Sequence, residues 1–144
     1  MQEVTELSGW AVTILFCVTV VLPFWHRWRA PDDAGFLARM TTHFTIGFAI
    51  AGLSLLHAVL AVASTISGEN PFLVGLAIAT VGLFIAFGQV GLGVQLRRHR
   101  DRYRPWLLTV HLVTMLTLAA IGIAHLLLDG EITRCLLRLS ACTT

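Results

Sequence analysis

The stretch from Met40 to Gly68, MTTHFTIGFAIAGLSLLHAVLAVASTISG, contains no Asp, Glu, Lys or Arg. It exceeds the roughly 20 apolar residues that a helix needs to cross a bilayer core of about 30 Å. Within lipid every backbone polar group must be satisfied internally, so a helix is the form expected here. Strand-like alternation is absent. The stretch nevertheless carries two histidines, His43 and His57. An ionisable side chain at such depth is expensive and marks a functional position.

Three further stretches lack charge: Leu7 to His26, Asn70 to Leu96 and Pro105 to Leu128. The sequence therefore predicts one transmembrane domain over residues 1–144, an all-α integral membrane four-helix bundle. Its helices are expected over about 8–28, 34–67, 71–98 and 103–128. Arg134 and Arg138, four residues apart, suggest a short interfacial helix over 131–140. Composition agrees with the spans: 56% of residues are hydrophobic, 12% are charged, and mean hydropathy is +0.80. A soluble domain has about 25% charged residues. The same figures exclude disorder. A net charge of +2 is no electrostatic footprint for nucleic acid, so no such partner is expected. Three Cys, without CxxC or CxxCH, do not make a disulfide-rich secreted fold.

Every basic residue is Arg, and eight of the ten fall in two loops. Arg27, Arg29 and Arg39 lie between spans 1 and 2; Arg97, Arg98, Arg100, Arg102 and Arg104 lie between spans 3 and 4. By the positive-inside rule these loops are cytoplasmic and both termini lie on the outer side. The expected location is a bacterial inner (plasma) membrane. Trp25, Trp28, Tyr103 and Trp106 fall at the inner boundary and Trp10 at the outer, as an aromatic belt requires. The N-terminus carries Glu3 and Glu6 and no basic residue, so span 1 is not expected to be a cleaved signal. The short loops leave no room for a second domain or a soluble catalytic module.

The histidine spacing carries the chemistry. His43 and His57 are fourteen residues apart on span 2, and His111 and His125 are fourteen apart on span 4. Fourteen residues of helix rise about 21 Å and leave two side chains only about 40° apart in azimuth. Spans 2 and 4 are separated by one span and so run parallel. Equal spacing on parallel helices sets His43 level with His111, and His57 level with His125. Two imidazoles facing each other across a helix bundle are what six-coordinate haem iron needs.

Other chemistries want other residues. A Zn or Cu site would cluster its ligands within a few ångströms, with Cys, Asp or Glu nearby. A proton relay would want intramembrane acids, and there are none. A single buried histidine would serve as a helix–helix hydrogen bond. His26 and His99, in the arginine-rich loops, read as interfacial polar residues.

This pattern resembles the di-haem core of transmembrane b-type cytochromes. Examples are the cytochrome-b subunit of quinol:cytochrome-c oxidoreductases and the ferric-reductase-like transmembrane family. In HFTIGFAIAGLSLLH, Gly47 stands four residues after the first histidine, as in ferric-reductase-like helices. HLVTMLTLAAIGIAH, from His111 to His125, supplies the second pair. The resemblance implies two haem b groups: His43 and His111 would ligate an inner iron, His57 and His125 an outer one. The likeness is to the core alone, without a flavin or nicotinamide domain and without the extra helices of the quinol-oxidoreductase subunit.

Supporting residues follow from the same placement. Gly75, Gly82 and Gly93 share one face of span 3 within about 20°, with Gly88 and Gly91 nearly opposite. Gly93 is expected at the inner haem's depth, with Gly82 and Gly75 bracketing the outer one; ordinary small-residue packing is the alternative. Arg39, one turn before His43, is the candidate donor to a haem propionate. Arg97, Arg98 and Arg104 are explained by topology alone. Gln89 and Gln95 suit either a quinone site or interhelical hydrogen bonds. Cys17 reads as a packing residue, and Cys135 and Cys142 fall in the tail on the oxidising side, with their thiol or disulfide state left open.

The expected function is transmembrane electron transfer through two stacked bis-His haems, as a relay or as the membrane subunit of a redox complex. Its partners would be the lipid bilayer, redox proteins and a quinone. The alternatives are a stand-alone membrane oxidoreductase acting on quinone, ferric iron or a small oxidant, and a non-redox scaffold that associates through span 3. No Ser/His/Asp, Cys/His or paired-carboxylate arrangement offers a catalytic side chain.

Overall fold

The computed structural model describes residues 2–29, 33–66, 73–98 and 102–129, without the side chains of residues 2, 33–39, 73, 74 and 129. Four helices account for nearly all of this: α1 (Gln2–Arg29), α2 (Asp33–Ile66), α3 (Leu73–Arg98) and α4 (Arg104–Asp129). No strand occurs among the described residues. Each helix holds a segment long and apolar enough to cross a membrane: Glu3–Arg29, Met40–Ile66, Gly75–Arg98 and Arg104–Leu128. The protein is therefore an all-α, four-helix membrane protein. The proposed interfacial helix over 131–140, with Arg134, Arg138, Cys135 and Cys142, lies outside the described residues, as does His99.

Helix α1 begins at Gln2, six residues before the start expected from its uncharged span. Glu3 in the first turn explains the extension, because a carboxylate there complements the positive end of the helix dipole. A helix can thus outrun its uncharged segment, and Thr5 gains a helical position. Helix α2 has 34 residues, about 51 Å of rise, and so exceeds the bilayer core at its Asp33 end.

α1 packs along α2, α2 against α3, and α3 along α4. Cross-helix contacts fix the directions. Thr19 of α1 meets His43, and Thr5 meets His57, so α1 and α2 are antiparallel. Gln89 meets His111 while Gly82 meets Ile121, so α3 and α4 are antiparallel. His43 lies beside His111 and His57 beside His125, so α2 and α4 are parallel.

The apolar surface points outward. Ile66 is 81% exposed, Trp28 78% and Phe84 73%, as suits a lipid-facing exterior. Cys17, expected to pack, is on this exposed side of α1. The interior is sparsely filled. Its buried apolar residues are Ile50, Ala51, Ala86 and Leu107, and no large side chain is fully buried among the described residues. Ile50 lies seven residues from each histidine of α2 and forms, with Ala86, a layer between the two histidine levels.

Candidate functional site

The four intramembrane histidines form two pairs. The His43 and His111 rings face each other with centroids 6.4 Å apart and planes at 69°. The His57 and His125 rings do so at 6.2 Å and 77°. An imidazole nitrogen binds a first-row metal at about 2.0 Å, and its ring centre lies about 1.2 Å behind it, so two imidazoles on opposite sides of one metal have centroids about 6.4 Å apart. Both pairs have that spacing. Among the described residues no three His, Cys, Asp or Glu come together.

The level of His43 and His111 lies toward the arginine-rich ends of α1 and α3, and is called the arginine-end level below. That of His57 and His125 is the far level.

Helix α1 orients both histidines of α2. His43 Nδ1 lies 3.1 Å from the Thr19 carbonyl oxygen. His57 Nδ1 lies 3.0 Å from the Thr5 carbonyl oxygen. A carbonyl only accepts, so each Nδ1 carries the proton and each Nε2 keeps its lone pair. Metal-binding histidines have this arrangement: the far nitrogen donates to a carbonyl, which fixes tautomer and ring orientation.

The two acceptors come from different devices. Pro23 lies inside α1, four residues after Thr19. Proline has no N–H, so the Thr19 carbonyl loses its intrahelical donor. His43 supplies one in its place, which is how a membrane helix tolerates a proline. At the far level Ser8, only 9% exposed, donates through Oγ to the Thr5 carbonyl at 2.7 Å. The same Oγ lies 3.0 Å from His57 Nδ1 and accepts from it. The Nδ1–H of His57 is therefore shared by two acceptors. Gly9 lets the ring in: a Cβ there would stand 3.1 Å from His57 Cε1.

On the opposite side, His111 Nδ1 is buried without a hydrogen-bond partner. The backbone of His111 is tied down instead. Gln89 Nε2 donates to its carbonyl at 2.9 Å, and Thr114 Oγ1 donates to Gln89 Oε1. Gln89 is thus an interhelical strut with both ends of its amide engaged, while Gln95 is exposed.

A cleft opens at the arginine-end level, lined in part by His43, His111, Phe44, Gly47 and Gly93. Nothing lies within 4 Å of a Cβ placed on Gly47, so this glycine borders open space. Gly93 faces Phe44 and His111, at 3.5 and 3.9 Å from its would-be Cβ. Gly82 is buried against α4, where a Cβ would stand 3.0 Å from Ile121 Cγ2. Gly75 shares its buried face, and Gly88 and Gly91 are exposed. Arg39 lies on α2 one turn before His43, with its side chain outside the described set. Arg97 stacks its guanidinium over Phe44, 5.5 Å from the ring centre, beside the cleft. His26 ends up on the last turn of α1 with Nε2 buried and unpartnered.

The arrangement fits a haem at the arginine-end level. The α2 imidazole has a free Nε2, the facing ring is at the right distance, and an apolar cleft bordered by Gly47 lies alongside. Sequence reasoning missed all of α1: Thr5, Ser8, Gly9, Thr19 and Pro23. One signal was present, since Thr5 and Thr19 are fourteen residues apart, like the histidines they serve. No known protein family, curated protein or solved structure matches this chain, so the reading of the site rests on its own geometry.

Proposed function

We propose that the protein is a di-haem b-type cytochrome that carries electrons across a membrane. His43 and His111 would hold one haem and His57 and His125 the second, the two histidine levels being fourteen helical residues, about 21 Å, apart. The observation that carries this reading is the pair of facing rings at 6.4 and 6.2 Å, on helices that repeat the same spacing. When bound, each haem supplies one-electron iron chemistry, with its potential set by axial ligands, hydrogen bonds and burial.

The chain's own residues do the rest. Thr19 and Thr5 carbonyls hold the α2 rings in the ligating tautomer. Gln89 holds the α4 backbone at His111. Ile50 and Ala86 keep the middle of the bundle dry. Arg39 and Arg97 bring positive charge to the end where haem carboxylates need it. By the positive-inside rule that end faces the cytoplasm of a bacterial inner membrane, and its basic face is the docking side for an acidic redox partner. On this reading the chain works as a relay or as the membrane subunit of a redox complex.

A reduced-minus-oxidised spectrum with haem quantification tests the proposal. Two b-type haems per chain are expected. A purified chain with no haem absorbance, which gains none on reconstitution, overturns it.

A further inference from the structure

The two levels differ in how firmly their α2 ligands are held, and the difference traces to one side chain. Ser8 is a polar residue buried in a membrane helix, and such groups are kept where they make a bond that matters. Its hydroxyl bridges the Thr5 carbonyl at 2.7 Å and His57 Nδ1 at 3.0 Å. His57 therefore donates to two acceptors, at 3.0 Å each. His43 donates to one, at 3.1 Å. His111 Nδ1 donates to none.

Resting on the haem reading above, we propose that Ser8 is a positioning residue that makes His57 the better-held axial ligand and sets the far haem's potential below that of the arginine-end haem. A ligand whose ring N–H is shared by two acceptors gives more electron density to its metal, and this favours the ferric form. Charge pushes the same way. Glu3 and Glu6 lie on the first two turns of α1, at the far end, where negative charge favours the ferric state. Arg27 and Arg29 end α1, and Arg97 and Arg98 end α3, where positive charge favours the ferrous state.

The test is a redox titration of the haem-loaded protein, wild type against Ser8→Ala and Ser8→Thr. Two one-electron waves are expected in the wild type. Loss of an outer hydrogen-bond partner costs about 10–100-fold in metal affinity. A tenfold loss confined to the ferric form reads as an upward shift of about 59 mV. Ser8→Ala should raise the lower wave by this order and leave the upper wave in place. Ser8→Thr, which keeps the hydroxyl, should hold the lower wave near its original position. A second readout needs no haem. In the haem-free chain, NMR should show His57 as the Nδ1–H tautomer, with its Nδ1–H resonance displaced in Ser8→Ala and near its original position in Ser8→Thr. Two waves that Ser8→Ala leaves unmoved, or a shift of the upper wave instead, overturn the role of Ser8 and leave the cytochrome reading standing. Failure to load any haem overturns both.

Discussion

The arginine-end and far levels repeat the same pair of ligands on the same pair of helices, yet the protein surrounds them differently. At the arginine end, His43 bonds a carbonyl that a proline has freed, and a cleft bordered by Gly47 stands open beside the rings. At the far level, His57 is clamped between a serine hydroxyl and a threonine carbonyl, and Gly9 lies against its ring. One level is held by backbone geometry and left roomy. The other is held by a side-chain network, with a glycine close against the ring. Equal spacing on parallel helices makes two sites, and the helix that faces them makes them unequal.

The largest effect that can break this comparison is removal of a ligand. His43→Ala and His111→Ala should each abolish the same spectral component, and His57→Ala and His125→Ala the other, each leaving about one haem per chain. Iron coordination needs both imidazoles, so the loss should be nearly complete at one level and slight at its neighbour. If His43→Ala and His57→Ala removed the same component, the pairing by level would be wrong.

Pro23→Ala comes next and touches only the arginine end. It restores an N–H to compete for the Thr19 carbonyl. Proline inside a helix costs on the order of 3 kcal/mol, so the haem-free chain should unfold at higher temperature. His43 then shares its acceptor, and the arginine-end haem should dissociate faster while the far haem keeps its rate. Equal acceleration at both levels would show that the proline acts on α1 as a whole.

Gly9→Ala strikes the far level alone. The new methyl would stand 3.1 Å from a ring pinned by two hydrogen bonds, so the ring has little freedom to retreat. Overpacking of this kind costs about 1–3 kcal/mol. Gly93→Ala is the control, because its methyl would meet Phe44 at an ordinary 3.5 Å. Gly9→Ala should lower the thermal midpoint and the far-level haem content, and Gly93→Ala should do neither. Equal effects would remove the claim that Gly9 makes room for the His57 ring.

These positions differ in how far the sequence exposes them. The four spans were legible because absence of charge over a bilayer's length is a local property, and α2 and α4 follow it closely. The histidine levels were legible because equal spacing on parallel helices needs no knowledge of rotation. Pro23 and Thr19 were legible in principle, since a proline always frees the carbonyl four residues before it. What was hidden is the register of α1 against α2, which decides that Ser8 and Gly9 meet His57 rather than lipid. That register is a sum of many weak contacts between distant residues. The same holds for Gly82, whose neighbour Ile121 on α4 depends on how α3 is rotated.

The smallest effect is the most discriminating for the roomy level. Gly47 sits mid-helix in α2, where glycine costs about 1 kcal/mol relative to alanine. No atom lies within 4 Å of the methyl that alanine would bring. Gly47→Ala should therefore stabilise the haem-free chain by up to about 1 kcal/mol, read as a higher thermal midpoint. The methyl would project into the cleft beside His43, so the arginine-end haem should bind more weakly and the far haem should be unaffected. The two readings move in opposite directions only if the cleft is the seat of a bound group. A variant that gains stability and also keeps full haem at the arginine end would show that the space beside Gly47 belongs to lipid.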